Sequence, residues 1–168
     1  MRKMTYYPDL SLYECRHRHE GQSVKNCFNV GWLDARPFVR EEPTSGTLGA
    51  LWLHCQVQVA RTRGVHDCEL CNDERAVSLR RDGTDWLLGI AEIRVFGEGG
   101  RIYAAPNLIF HYVERHHYRP PDEFLVALVG ECVPPSEEYF RRVAALDPDW
   151  RKAAPTPYCV HTYNAGPT

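Results

Sequence analysis

The sequence predicts an α+β domain: a short antiparallel sheet with helices packed on it. Three observations carry that expectation. Gly97-Glu98-Gly99-Gly100 separates two apolar, β-branched runs, which reads as a hairpin. Apolar residues recur at three- and four-residue spacing on either side of that hairpin, as helices require. Cys68-x-x-Cys71 precedes the hairpin and His111-x4-His116 follows it, so one set of side chains can tie sheet to helix.

The elements follow in order. Residues 1–26 are polar and irregular, with Pro8 and a charged stretch from Cys15 to Glu20. Cys27 to Leu33 reads as a short strand, because aromatic and β-branched residues suit a pleated surface; Asp34 and Pro37 end it. Thr44 and Ser45 offer N-caps for a helix from about Thr47 to Val59, with Leu48, Leu51, Trp52, Cys55 and Val59 facing the core. Residues 72–85 are polar and carry the turn signal Asp82-Gly83. Strands are expected at Trp86–Phe96 and Arg101–Ala104.

Pro106-Asn107 opens a helical run from Leu108 to about His117, and Pro120-Pro121 stops it, since proline cannot continue the hydrogen-bond ladder. A third helix is expected at Asp122–Val129, with Phe124, Leu125, Leu128 and Val129 on one face. A fourth runs from Glu137 to Leu146 behind the cap Ser136, its acidic first turn suiting the helix dipole. Residues 1–150 are expected to form one domain. The stretch after Asp147 reads as extended and docked through Trp150 and Tyr158, with residues 151–168 as the C-terminal tail.

Bulk properties exclude several classes. A chain of 168 residues can bury a real core, roughly 70% of its unfolded surface. A net charge of −2 gives no bulk attraction to nucleic acid or to an acidic membrane. No apolar run approaches ~18 residues, so no spanning helix is expected. The basic start lacks a following apolar core, so no secretory signal is expected and a cytoplasmic location follows. Seven cysteines is an odd number, and Cys15, Cys27, Cys55, Cys132 and Cys159 show no paired spacing, which argues for metal or redox use of Cys68 and Cys71 rather than a disulfide framework.

Zn2+ prefers four tetrahedral ligands from cysteine sulfur and histidine nitrogen. Cys68 and Cys71 put two thiolates on a tight knuckle, and His111 and His116 present two imidazoles from a helix end. Knuckle, hairpin, helix is the element order of a treble-clef zinc module. His117 competes with His116 for the fourth position, and His66 could replace either histidine. Four filled positions make the zinc structural, because catalytic zinc keeps one open. Cys15 with His17 and His19 is a second, weaker metal candidate.

The run Glu92 to Gly100, followed by Asn107-Leu108-Ile109-Phe110-His111, resembles the HNH nucleases, which are treble-clef modules. Ala91-Glu92 stands where that family has Asp-His, so the general base and part of the catalytic metal site are missing. The resemblance implies a scaffold without nuclease activity. Four segments, Tyr7–Ser11, Asn29–Asp34, Arg63–Cys71 and His111–Pro121, are together similar to a group of small uncharacterised actinobacterial proteins. That resemblance implies one domain across roughly these residues and draws attention to His66 in its His-x-Cys-x-x-Cys pattern; it implies no activity.

Other polar residues have ordinary readings. Asp34 is expected in a turn and Glu92 on the solvent face of a strand. Tyr103, Tyr112 and Tyr118 read as packing residues, and Arg115, Arg119, Arg141 and Arg142 as a solvated face. The sequence contains no phosphate loop, no Gly-x-Ser-x-Gly and no His-Glu-x-x-His. The expected role is a non-enzymatic, zinc-stabilised module binding a protein partner, of immunity or accessory type. The first alternative is a metal-dependent enzyme with an open position near His66, Glu92 or His117. The second is a treble-clef nucleic-acid binder without nuclease activity.

Overall fold

A computed structural model describes residues 5–14, 25–71, 75–81, 83–148 and the backbone of 160–164. Its strands are β1 Cys27–Asn29, β2 Ala76–Arg81, β3 Thr84–Leu87, β4 Glu92–Phe96, β5 Ile102–Pro106 and β6 Val160–Asn164. Its helices are α1 Ser45–Cys55, α2 Ile109–His116, α3 Asp122–Leu128 and α4 Glu137–Leu146. The expected α+β class is observed. In place of the one antiparallel sheet expected, there are two, and both are mixed. In the first, β4 and β5 form the antiparallel hairpin and β1 joins β5 in parallel. In the second, β2 and β3 form a hairpin and β6, from the C-terminal tail, joins β2 in parallel.

The helix bounds have local causes. The Thr44 hydroxyl accepts a hydrogen bond from the Thr47 N–H (3.1 Å), and Ser136 does the same for Tyr139 (3.3 Å). Each satisfies one of the donors a helix start leaves free. Helix α1 ends at Cys55, short of the expected Val59. Val59 instead pairs with Glu92 in an isolated bridge that covers the outer edge of β4. In α3 the buried residues are Phe124, Ala127 and Leu128, while Val129 is 64% exposed rather than inward.

The expected long strand Trp86–Phe96 is broken. Gly89 sits at φ +77°, and a Cβ there would lie 2.1 Å from the His66 carbonyl oxygen. Only glycine allows that turn and that approach. The polar stretch expected as loop holds β2, whose Ala76, Val77, Ser78 and Leu79 are buried.

All five residues of β4 are buried, because both of its faces are covered. Ile93 and Val95 join Leu51, Phe110 and Phe124 in the main core beneath α1, α2 and α3. Phe96 joins Tyr139 and Val143 of α4 with Val57 and Val59 in a second cluster. Burying a large apolar side chain contributes about 1.5–3 kcal/mol, so these two clusters fix the hairpin firmly between the helix layers.

Candidate metal centre

The knuckle is held from behind. The His66 N–H donates to the Gly89 carbonyl (2.8 Å), and the Cys71 N–H closes a turn on the Cys68 carbonyl (3.2 Å). The opposite wall is the start of α2. Asn107, fully buried, accepts the Gly89 N–H on its side-chain oxygen (2.8 Å) and donates to the Leu87 carbonyl (3.3 Å). One side chain thereby joins the knuckle's support to the loop that opens α2.

Helix α2 carries His111 in its first turn and His116 as its last residue. It ends because His117 adopts a left-handed conformation (φ 56°), and the Tyr118 N–H returns to the Tyr112 carbonyl (3.0 Å), as in a helix-closing motif. Arg40 donates to the free carbonyl of His116 (3.0 Å). The reversal at His117 separates the two neighbouring rings: His116 faces the cysteines, while His117 Nδ1 lies 3.1 Å from a Glu42 carboxylate oxygen.

Four donor atoms converge. Cys68 Sγ is 3.2 Å from His116 Nε2, Cys71 Sγ is 3.2 Å from His111 Nε2 and 3.4 Å from His116 Nε2, and the two Nε2 atoms are 3.2 Å apart. All four lie within 4.8 Å of one another. A tetrahedral ion with bonds of ~2.3 Å to sulfur and ~2.05 Å to nitrogen would set these edges at roughly 3.3–3.8 Å. Four of the six edges lie at 3.2–3.4 Å, close to those values, and the group is a candidate metal site. Cys68 and His111 are buried (2% and 3% exposed); Cys71 and His116 are half-buried.

The electrostatics suit a cation. Burial, and then the neighbouring Cys71, pushes the Cys68 thiol up to about 12. Two adjacent thiolates there need a positive charge between them. Burial and the positive charges of Arg40, Arg115 and His117 lower the His116 pKa, which favours the neutral imidazole that ligates metals.

The remaining candidates stand outside this group. Neither His66 nor His117 contributes a donor atom. Glu92 corrects the expectation of a solvent-facing residue: it is buried, and its Oε2 accepts hydrogen bonds from Arg94 Nη1 (2.7 Å) and the Tyr13 hydroxyl (2.7 Å). Glutamate and arginine two apart on one strand share a face, and that spacing was a usable signal for the pair. Asp34 holds the Arg36 N–H (2.9 Å) and guanidinium (2.8 Å), as a turn residue does. Tyr103, Tyr112 and Tyr118 are buried packing residues. Arg119 and Arg141 pair with acidic neighbours. Cys15, His17, His19, Trp150 and Tyr158 lie outside the described residues.

Sequence reasoning missed one clamp on the N-terminal segment. Asp9 accepts the Tyr118 hydroxyl (2.8 Å) and the Gly31 N–H (2.9 Å), tying that segment and the loop after β1 to the residue that closes α2. No sequence motif marked it.

A family model described as a domain of unknown function, DUF7919, matches residues 5–129. The chain belongs to this family. No curated protein and no solved structure matches the chain. The DUF7919 segment contains the knuckle, both hairpins and α2, hence all four donors, and it ends just after α3; α4 lies beyond it. Among the described residues, no helix is long and apolar enough to cross a membrane.

Proposed function

We propose that this DUF7919 protein is a zinc-stabilised, non-enzymatic module that acts by binding a protein partner. The observation that carries the reading is the mutual spacing of Cys68, Cys71, His111 and His116 around one point, with each tetrahedral corner supplied by the protein. Such a site leaves no corner for water or substrate. Its zinc would contribute on the order of 10 kcal/mol or more of folding free energy, clamping the knuckle to α2 in a treble-clef-like arrangement. Reduced thiolates as ligands fit a reducing compartment such as the cytoplasm.

One feature weighs against the metalloenzyme alternative: Glu92 is buried and its carboxylate holds Arg94 and Tyr13, whereas a general base must lie within reach of substrate. The nucleic-acid alternative draws no support from charge: three of the four arginines that could have made a basic face are in ion pairs.

The deciding experiment is metal analysis with X-ray absorption on the purified full chain. One zinc with two sulfur and two nitrogen neighbours supports the structural reading, and affinity capture for a protein partner follows. A water in the first shell would overturn it in favour of an enzyme. Retarded DNA or RNA mobility that falls steeply with salt would favour the nucleic-acid reading.

A further inference from the structure

A cavity of about 710 Å³ opens at the tip of the β4–β5 hairpin, between α3 and α4. None of the four metal donors lines it, so the two sites are separate. The volume is within the ~300–1,000 Å³ typical of small-molecule sites. Its apolar surface comes from Phe96 and Tyr103, together with Val126 and Ala127. Glycine shapes the floor: a Cβ on Gly97 would lie 3.0 Å from Tyr103 Cε2 and 3.5 Å from the Ala127 methyl.

The charges around this floor divide into used and unused. Arg101 pairs with Glu123, which also accepts from the Tyr103 hydroxyl (3.3 Å). Arg142 lies 4.1 Å over the Phe96 ring and its charge reaches Glu138 on the same helix, but it makes no direct ion pair among the described residues. Glu98 and Glu131 on the rim likewise make none among the described residues. One unspent guanidinium therefore shares the cavity with two unspent carboxylates. A purely cationic guest would meet Arg142, and a purely anionic guest would meet Glu98 and Glu131. Only an occupant with both charges on an apolar body satisfies all three groups and the aromatic floor.

We propose that this cavity binds a small zwitterion with an apolar side chain, the chemistry shared by free amino acids and short peptides. Its carboxylate pairs with Arg142 and its ammonium group with Glu98 or Glu131. The claim does not depend on the zinc reading, and its test reads different residues.

The test is an amide-shift titration of the full, isotopically labelled chain by NMR. The probes are L-phenylalanine, glycyl-L-phenylalanine and the neutral N-acetyl-glycyl-phenylalanine amide. Saturable shifts at Phe96, Gly97, Gly130 and Cys132 are expected with at least one zwitterion. Response to the amino acid alone identifies the free amino acid as the source, and response to the dipeptide alone a peptide. The capped probe should bind at least about tenfold more weakly. Arg142→Gln should weaken binding by a similar factor. Val126→Trp, at a position 64% exposed on the rim, should block the cavity while keeping the spectrum folded. Absence of saturable shifts there up to about 10 mM of either zwitterion, equal binding of the capped probe, or unchanged binding by both folded variants would overturn the proposal.

Discussion

Arg94 Nη1 donates a 2.7 Å hydrogen bond to Glu92 Oε2 on a strand whose two faces are both covered. Tyr13 completes the triad: its hydroxyl donates to Glu92 and accepts from Arg94 Nη2 (3.1 Å). Burial opposes the Arg94 charge, but Glu92, Tyr13 and Cys27 around it together more than offset it and raise its pKa. The pair is internal, and removing one partner strands the other.

Glu92→Ala should therefore destabilise the protein by about 3–5 kcal/mol, the usual cost of leaving a buried charge without its partner. Tyr13→Phe, which keeps the ion pair and removes the hydroxyl's two hydrogen bonds to charged groups, should cost less than Glu92→Ala but at least about 1.5 kcal/mol. Urea unfolding of the two variants measures both. A Glu92→Ala protein as stable as the wild type would show that this triad is not structural.

Metal removal should be the largest single perturbation. Cys71→Ala removes one ligand of the proposed zinc and leaves Cys68 buried. The expected outcome is loss of bound zinc and of cooperative unfolding, since structural zinc carries much of the folding free energy of a small module. Zinc release on chelation, followed by circular dichroism, checks it. His117→Ala is the control: its ring faces Glu42, so zinc content should stay at one per chain.

Gly89→Ala should injure the metal centre without touching a ligand. The added methyl would collide with the His66 carbonyl, and φ +77° is unfavourable for alanine by roughly 1–2 kcal/mol before any clash. The collision pushes on the backbone that presents Cys68. We expect a lower melting temperature and faster zinc loss to a chelator. A variant that lost stability but held zinc unchanged would show that His66 does not buttress the knuckle.

The donors were legible in sequence because cysteine and histidine spacing is local. So were α4, framed by Ser136 and an acidic first turn, and the turn residues that open the β4–β5 hairpin. The environment of Glu92 was not legible, because its burial comes from distant parts of the chain: Val59 along the strand edge and Tyr13 at its carboxylate. Strand β2 was hidden for a related reason. Arg80 and Arg81 made the segment read as polar, yet Arg80 is exposed and held by Asp85 across the hairpin, while Val77 and Leu79 reach the core. The parallel additions of β1 and β6 depend on long connections, which local pattern does not encode.

The last expectation concerns pH. His54 is 1% exposed, its Nδ1 lies 2.9 Å from the Ala50 carbonyl, and its ring meets Tyr139 edge-on at 5.4 Å. The Ala50 contact makes Nδ1 the protonated nitrogen, and Nε2 is buried without a hydrogen-bond partner among the described residues. Burial, only partly offset by the Ala50 bond, lowers its pKa from 6.5 to about 4. Above pH 6.5 the imidazole is neutral whether the chain is folded or unfolded, and its contribution to stability is fully present. As pH falls below 6.5 the unfolded chain takes up a proton that the folded chain refuses. Stability therefore drops until about pH 4, by on the order of 3 kcal/mol for this group. The proposed metal ligands lose stability in acid as well, so the comparison must cancel them. His54→Gln cannot titrate and leaves the four donors untouched. The stability difference between wild type and His54→Gln, followed by urea unfolding, should shift in favour of the variant between pH 6.5 and pH 4. A difference that stays constant across that window would show that His54 takes up its proton at the same pH in the folded and the unfolded chain.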